Sequence, residues 1–411
     1  MTGPAGPPRR KDPTRRTRLP VTPPGNRSRE AHGLAAMAAA GRFALQCCRR
    51  CGHVHYPPRQ LCERCLDGEL EWRDVADGGR VLAQTTVRHA NDLYFRERLP
   101  WKLGLVGSDA GPSIVAHLAE GCERGHRVRL ALHLDRAGNA VVAASPERDA
   151  SRDDPRLREM VFDPRGRRVL VVDGTTGLGR HLVEAFLASG AREVFAGFSR
   201  PWNRSPDLAA LRGRDRVSVY PLDVTDTDAV EKLAALIGDK VEILINNSSH
   251  VRMGGALDRL DFNITRQEME IHYHGLLRLA GYFGPVMRAR GADGPYGAVA
   301  WVNLFSAWSL VNNPELGTYS ASQAAALSLS HCMRAELAAG GVRVVNVFTG
   351  PLDDEWHQLV PPPKLDPATV AIRVVRGLER GLEDIAVGAV AEEITHRLAE
   401  NPKEIERSIR L

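Results

Sequence analysis

Residues 167–191, RRVLVVDGTTGLGRHLVEAFLASGA, decide how the second half of this chain folds. VLVV (169–172) is an unbroken apolar run, and a strand without polar alternation needs cover on both faces, as a central parallel strand has. Leu178, Leu182, Val183, Phe186 and Leu187 then recur with helical spacing on one face. Between them lies a sharp turn of Asp173, Gly174, Thr175, Thr176, Gly177, Leu178 and Gly179. Such a turn aims backbone N–H groups and a helix N-terminus at an anionic group such as a pyrophosphate.

Toward the C-terminus the same alternation repeats. EVFAGFS (193–199), RVSVYPLDV (216–224), VEILINN (241–247), GAVAWVNLFS (297–306) and GVRVVNVF (341–348) read as strands. Helices are expected over 227–238, 266–289, 319–339 and 366–381. Successive βα units predict an α/β domain, a doubly wound parallel sheet, over 167–400, with 401–411 as a tail.

Toward the N-terminus, 149–166 is rich in Arg, Asp and Pro and reads as a linker. Before it, RVLAQTTVRH, WKLGLVG, SIVAHLA, HRVRLALHLD and NAVVAA are short strands with no long helix between them, which predicts a small closed β barrel over 75–148. Tyr94, Phe95 and Trp101 are expected mainly in core or interface packing, and HANDLYFRERLP (89–100) is expected to be a loop facing a ligand or partner.

Residues 48–65, CRRCGHVHYPPRQLCERC, carry Cys48, Cys51, Cys62 and Cys65 as two Cys-x2-Cys pairs separated by ten residues. Four thiolates make a closed tetrahedral shell, which favours structural Zn²⁺ over a metal-free ribbon of the same shape or an iron–sulfur or rubredoxin-like site. Gly52 supplies the backbone angle a metal knuckle needs. His53 and His55 are expected at the surface, since the cysteines complete the shell. The ribbon is placed at 39–74.

Residues 1–38 comprise a basic Pro/Gly-rich stretch, expected to lack fixed structure through about 32, and an alanine-rich segment at 33–44 that predicts a short helix. Met37 is an alternative start. The formal charge of +5 is concentrated in this leading stretch, in Arg9, Arg10, Lys11, Arg15, Arg16, Arg18, Arg27 and Arg29. No basic, aromatic-interleaved platform accompanies it, so no nucleic-acid partner is expected. No apolar run is long enough to cross a bilayer, so no membrane role is expected either. Clustered, unevenly used cysteines fit a reducing, cytoplasmic location.

Over 167–400 the motifs resemble the short-chain dehydrogenase/reductase family, with a Rossmann-type fold. DGTTGLG stands at the family's nucleotide turn, and TTGLGR is similar to modular polyketide ketoreductases. LDV (222–224), with Asp223 and Val224, matches the segment that touches adenine. NNSS (246–249), with Asn247, replaces NNAG, and TGPLDD (349–354), with Gly350 and Leu352, stands where the nicotinamide end is cradled. Ser306 lies thirteen residues before Tyr319, the family's serine–tyrosine spacing. The resemblance implies that Tyr319 transfers a proton while Ser306 holds the substrate oxygen. Residues 44–148, with Pro57-Pro58-Arg59, resemble a zinc-ribbon plus OB-fold family that accompanies thiolases and other acyl-CoA enzymes. That implies an acyl-CoA-handling or docking module.

Ser199 and Arg200, with Arg204 beyond, end the second strand where NAD-binding sites place an acid. A hydroxyl and a guanidinium suit a 2′-phosphate, so NADP(H) is favoured over NAD(H). The family's lysine, four residues after the tyrosine, is Gln323, assigned to a ribose contact, and its asparagine is His272, assigned to an altered relay or a structural hydrogen bond. Asp173 replaces the first glycine of the turn, where its carboxylate would repel pyrophosphate unless turned away or paired, for instance with Arg180. Ser248 and Ser249 fill space normally left clear. Two functions follow: an oxidoreductase of β-keto/β-hydroxyacyl thioesters, or a catalytically impaired assembly subunit. In either case a homo-oligomer, or a hetero-oligomer with another short-chain dehydrogenase or a thiolase, is expected. Trp356 and His357 stand in a segment expected to wall the pocket.

Overall fold

The computed structural model describes residues 22–25, 28–147, 154, 158, 160–199, 206–257, 262–291, 297–355 and 357–408. The leading basic stretch through 21, most of 148–159, Arg200, Arg204 and Trp356 lie outside the described residues.

The chain opens with helix α1 (Ala31–Ala39), shorter than the alanine-rich stretch because Gly41 turns left-handed at φ 66°. A three-stranded antiparallel ribbon follows, β1 (Ala44–Cys48), β2 (Val54–His55) and β3 (Leu70–Asp74), in the order β2-β1-β3. Next come β4 (Gly78–Val87), helix α2 (Leu93–Arg96), β5 (Trp101–Ser108), β6 (Ser113–Leu118), β7 (Arg127–Leu134) and β8 (Ala140–Pro146). These five strands close into a barrel in the order β4-β5-β6-β8-β7. Every second residue of β7, from Val128 to Leu134, points inward, which the period of two requires. Leu34 and Ala38 of α1 join that barrel core. The 89–100 segment is not a plain loop. Asp92 caps α2, Tyr94 is buried under Arg98, and the indole N–H of Trp101, itself buried, donates to His117 at 2.6 Å.

The second half is a seven-stranded parallel sheet of β9 (Arg168–Val171), β10 (Glu193–Phe198), β11 (Val217–Pro221), β12 (Ile243–Asn246), β13 (Ala300–Ser306), β14 (Arg343–Thr349) and β15 (Asp384–Val387). Its order is β11-β10-β9-β12-β13-β14-β15, so the winding direction reverses between β9 and β12. Ligand crevices open at the carboxyl ends of strands flanking such a reversal. On one face, α3 (Gly177–Ala188) and α9 (Pro367–Arg380) pack Leu182, Phe186, Val370 and Leu378 against Val169 and Val171. On the other, α5 (Thr227–Ile237), α7 (Gly275–Arg290) and α8 (Gly317–Ala338) pack Leu233, Leu279, Phe283 and Met333 against Leu170 and Val172. α4 (Pro206–Arg212) lies beside β11.

Three departures from the sequence expectations matter. The helix expected over 266–289 is α6 (Phe262–Met269) and α7 joined by a π-helical turn, Glu270–His274, that carries His272. The segment read as linker is anchored at its end, where buried Met160 and Phe162 pack and the Phe162 N–H donates to the Leu378 carbonyl at 2.9 Å. The expected tail continues beyond α10 (Ala389–Glu400) as α11 (Pro402–Ser408), whose Ile405 is buried in the sheet's core.

Barrel and sheet meet through arginines. Arg136 donates to the Gly291 carbonyl at 2.7 Å, Arg380 to the Gly41 carbonyl at 2.9 Å, and Arg343 bridges the Asp135 carbonyl and the Glu383 carboxylate. Among the described residues no helix is long and apolar enough to cross a membrane.

Candidate active site

The nucleotide turn is built around the residue that departs from glycine. Asp173 Oδ1 accepts hydrogen bonds from the Thr175 N–H at 2.9 Å and the Thr175 hydroxyl at 2.7 Å. One oxygen of the Asp173 carboxylate is thus engaged by its own turn, an Asx arrangement that substitutes a side-chain acceptor for glycine's freedom. Asn247, on the neighbouring strand end, clamps the same residue from behind: its Oδ1 accepts the Asp173 N–H at 2.9 Å, and its Nδ2 donates to the Asp173 carbonyl at 2.7 Å. Gly179 must stay glycine, because a Cβ there would sit 1.9 Å from the Asp173 carbonyl oxygen. Thr176 caps α3 by accepting the Gly179 N–H at 3.1 Å.

Asp173 and Thr176 open onto a cleft of about 320 Å³ whose walls include Ser199, Asp223, Val224, Ser248, Ser249, Arg252 and Ile271. Asp223 repeats the Asx arrangement, accepting from the Thr225 N–H at 2.9 Å and hydroxyl at 2.7 Å. Gly350 follows β14, where a Cβ would lie 3.0 Å from Val390 Cβ, and Leu352, buried, bridges to Leu365. The loop after it reaches back to the turn: a Cβ on Gly177 would lie 3.3 Å from Glu355 Oε2. Asp354 accepts from the His357 N–H at 3.1 Å and lies 2.7 Å from its Nδ1, so His357 is buried within this loop.

Ser306 ends β13 and Tyr319 lies in the first turn of α8, and the two side chains meet. The Tyr319 phenol faces the hydroxyls of Ser306 and Ser249, near enough for both to favour its ionised form. Burial pushes the phenol up to about 12, those two hydroxyls oppose the shift, and the Asp354 and Glu268 carboxylates add to it. From sequence alone Ser249 is only an obstruction in the space beside the cofactor. The signal that could have identified it is the hydroxyl itself, an oxygen donor placed where the family has glycine.

Gln323 lies one helical turn beyond Tyr319, and its Oε1 accepts the Ser306 N–H at 3.1 Å. His272, buried on the π-helical turn, has both ring nitrogens engaged. Its Nε2 accepts the His250 N–H at 3.0 Å, which places the ring proton on Nδ1, 2.8 Å from Ser322 Oγ. Ser322 in turn donates to the Tyr319 carbonyl at 2.8 Å. Burial, and secondarily His250, pull His272 down to about 3, so the imidazole is neutral.

In the ribbon, the Cys48 and Cys65 sulfurs lie 3.5 Å apart, as do those of Cys51 and Cys62, and all four fall within 4.8 Å of one another. Zn–S bonds of about 2.3 Å in a tetrahedron give sulfur–sulfur edges of about 3.8 Å, so this donor set fits one ion. Both pairs form the same knuckle. The Gly52 N–H donates to the Cys48 carbonyl and the Leu66 N–H to the Cys62 carbonyl, each at 2.9 Å, with Gly52 and Leu66 left-handed at φ 70° and 57°. His53 is half-buried and His55 is buried, contrary to the surface placement expected of them.

Residues 167–361 match the family described as short chain dehydrogenase, 35–71 the ChsH2 rubredoxin-like zinc ribbon domain and 72–133 the ChsH2 C-terminal OB-fold domain. Short-chain dehydrogenase PC-15 of Penicillium crustosum is 34% identical over 191 residues, 45% of this chain and 65% of that protein. A fatty acyl-CoA reductase of Acinetobacter baylyi is 24% identical over 188 residues, 45% of this chain and 62% of that protein. The chain therefore spans less than two thirds of the length of these relatives. The crystal structure of a Burkholderia cenocepacia short chain dehydrogenase in complex with NADP superposes with a TM-score of 0.54 and 32% identity, covering 61% of this chain and 99% of that one. By fold, nucleotide turn and serine–tyrosine pair, this chain belongs to the short-chain dehydrogenase/reductase family, with a zinc-ribbon and OB-fold segment fused ahead of it.

Proposed function

We propose that this protein is an NADP(H)-dependent oxidoreductase of a β-keto or β-hydroxyacyl thioester, an acyl-CoA by preference. The observation that carries the reading is the meeting of Tyr319 with Ser306 and Ser249 inside the domain that holds the nucleotide turn. When bound, the reduced nicotinamide supplies the hydride. Ser306 and Ser249 hold the carbonyl oxygen, and Tyr319 gives that oxygen its proton as the carbinol forms. A phenol raised to about 12 keeps its proton at neutral pH, which suits reduction better than oxidation.

Asn247 and Thr176 fix the turn for the pyrophosphate, Asp223 and Val224 border the adenine end, and Gly350 and Leu352 border the nicotinamide end. Gln323, whose oxygen is committed to Ser306, offers its amide nitrogen to the ribose. His272 is a positioning residue, holding the start of α8 through Ser322. Arg200 is assigned to a 2′-phosphate, and the NADP bound to the Burkholderia relative supports this preference. Cys48, Cys51, Cys62 and Cys65 hold structural Zn²⁺. The acyl-CoA substrate is supported by the ribbon–barrel module and by the acyl-CoA reductase among the relatives. That module receives CoA or docks a thiolase or a second short-chain dehydrogenase.

The test is spectrophotometric. Purified protein should bleach NADPH absorbance on addition of a β-ketoacyl-CoA, and Y319F should lower that rate by about 10²–10⁴-fold without loss of NADPH binding. Absence of calorimetric binding of either NADPH or NADH would remove the proposal. A second reading, a binding or assembly subunit, is favoured by the uncharged Gln323 beside a strongly raised tyrosine and by Glu355 at the nucleotide turn. NADPH binding without turnover on any acyl thioester, with copurification of an active partner, would establish it.

A further inference from the structure

We propose that the ribbon carries a second metal site, formed by His53, His55 and Glu63, which binds a divalent cation of the Zn²⁺, Co²⁺ or Ni²⁺ class beside the four-cysteine shell. One donor atom from each of the three lies within 4.8 Å of the others. Glu63 Oε1 is 3.0 Å from His53 Nε2 and 4.0 Å from His55 Nδ1. Ligands at about 2.1 Å from one ion are about 3.0–3.4 Å apart in octahedral or tetrahedral geometry. The His53–Glu63 edge already has that length; the His55–Glu63 edge, at 4.0 Å, and the His53–His55 edge, within 4.8 Å, would shorten on binding by rotation of the glutamate and of the His53 ring.

His55 supplies the independent reason to expect an occupant. Its side chain is fully buried, and neither ring nitrogen has a hydrogen-bond partner among the described residues. A buried imidazole with both nitrogens unsatisfied is costly, and ligation of a metal by Nδ1, the nitrogen nearer Glu63, satisfies one of them. The placement follows from the chain. His53 and His55 are two residues apart at strand β2, so their side chains share one face, and their ring centroids lie 4.7 Å apart. Glu63 follows Cys62 directly, so closing the cysteine shell swings its carboxylate over that face.

The positive neighbour does not block the site. Arg59 Nη2 lies 3.1 Å from Glu63 Oε2, the oxygen that faces away from the histidines. The carboxylate is therefore divided, Oε1 toward the imidazoles and Oε2 toward the guanidinium. Two imidazoles and one carboxylate leave coordination positions open, and the exposure of the His53 and Glu63 side chains, 34% and 46%, puts those positions on the solvent side. This site is therefore chemically unlike the closed cysteine shell. It can exchange its ion and accept a further oxygen donor.

The experiment is a metal count on the full-length protein. After equilibrium dialysis against Zn²⁺, elemental analysis should give two ions per chain, and H53A and E63Q, at a half-buried and an exposed position, should each give one. Cobalt substitution separates the sites. The first equivalent should bring the intense thiolate-to-cobalt charge-transfer band, and the second only weak d–d absorption. That band, retained in H53A and E63Q, reports an intact ribbon. One ion per chain in the unmodified protein would overturn the proposal, as would a second equivalent that survives both substitutions.

Discussion

The Gln323 side-chain oxygen accepts the backbone N–H of Ser306 at 3.1 Å, tying the helix that carries Tyr319 to the end of the strand that carries its partner hydroxyl. A lysine at this position would bring a positive charge near the phenol. Glutamine brings a fixed distance between serine and tyrosine instead, and no charge to favour tyrosinate. On the proposed reading this orders the site for proton donation, with the phenol held in its protonated form by burial.

Q323K tests this arrangement. A cation beside a buried phenol lowers its pKa by about 1–3 units. In the alcohol-oxidising direction, which needs the phenolate, kcat/KM of the unmodified protein should still be rising at the alkaline limit of the assay. In Q323K the rise should come at lower pH by that interval. The reductive direction should lose rate at high pH in the variant, since the donor is then deprotonated. Superimposable pH profiles would mean that Tyr319 is not the titrating group.

Glu355 stands where the proposed dinucleotide would place its pyrophosphate. Its carboxylate sits against Gly177 at the start of α3, where the helix N-terminus favours an anion. A pyrophosphate seeks the same donors, so the loop and the dinucleotide compete. E355Q should tighten NADPH binding by about three- to tenfold at low salt, on the order of 1 kcal/mol for one removed charge near the surface. Calorimetry should show the gain shrinking as ionic strength rises, because screening weakens the repulsion being removed. Equal affinities at low salt would place the loop elsewhere in solution.

Much of the fold was legible because its signals are local. The apolar run at 169–172 and the stripe from Leu178 to Leu187 need only one neighbourhood of chain to be read. The barrel strands and both cysteine knuckles have the same quality. What escaped depends on contacts between distant segments. Nothing near Ser249 announces that it meets Tyr319, and nothing near Glu355 announces Gly177. The π-helical turn at Glu270–His274 leaves the apolar spacing of its helix almost unchanged, so periodicity does not detect it. The three asparagines Asn246, Asn303 and Asn346 stand side by side on β12, β13 and β14. Ser330 links the last two, at 3.0 and 2.6 Å, and that buried network exists only once the strands are aligned.

Asp173 illustrates a sequence reading that was half complete. From sequence its carboxylate is an obstacle to phosphate, whereas in the structure it is the acceptor that holds Thr175. D173A should lower the chemical-denaturation midpoint by an amount worth about 1–2 kcal/mol, two hydrogen bonds at about 1 kcal/mol or less each. D173N keeps an oxygen at Oδ1 and should cost less than D173A. A destabilisation equal in both variants would show that charge rather than acceptor geometry stabilises the turn.

His272 makes stability depend on acid. The Nε2 lone pair accepts the His250 N–H, and protonation would set two donors against each other. Its folded-state value of about 3 lies below the unfolded value of about 6.5, so the stabilisation is complete above about 6.5 and is lost as pH falls toward 3. The slope from this one group approaches about 1.4 kcal/mol per pH unit inside that window. Burial also lowers His117, to about 4, and His133, so the total acid sensitivity belongs to several groups. The contribution of His272 is the difference between the unmodified protein and H272Q. H272Q should be less stable at neutral pH, because glutamine reproduces the two contacts imperfectly. Its denaturation midpoint should fall less steeply between about pH 6.5 and 4, since the variant has no imidazole to protonate. Parallel midpoint curves would show that His272 carries its proton already, and the hydrogen-bond assignment at the start of α8 would then have to be reversed.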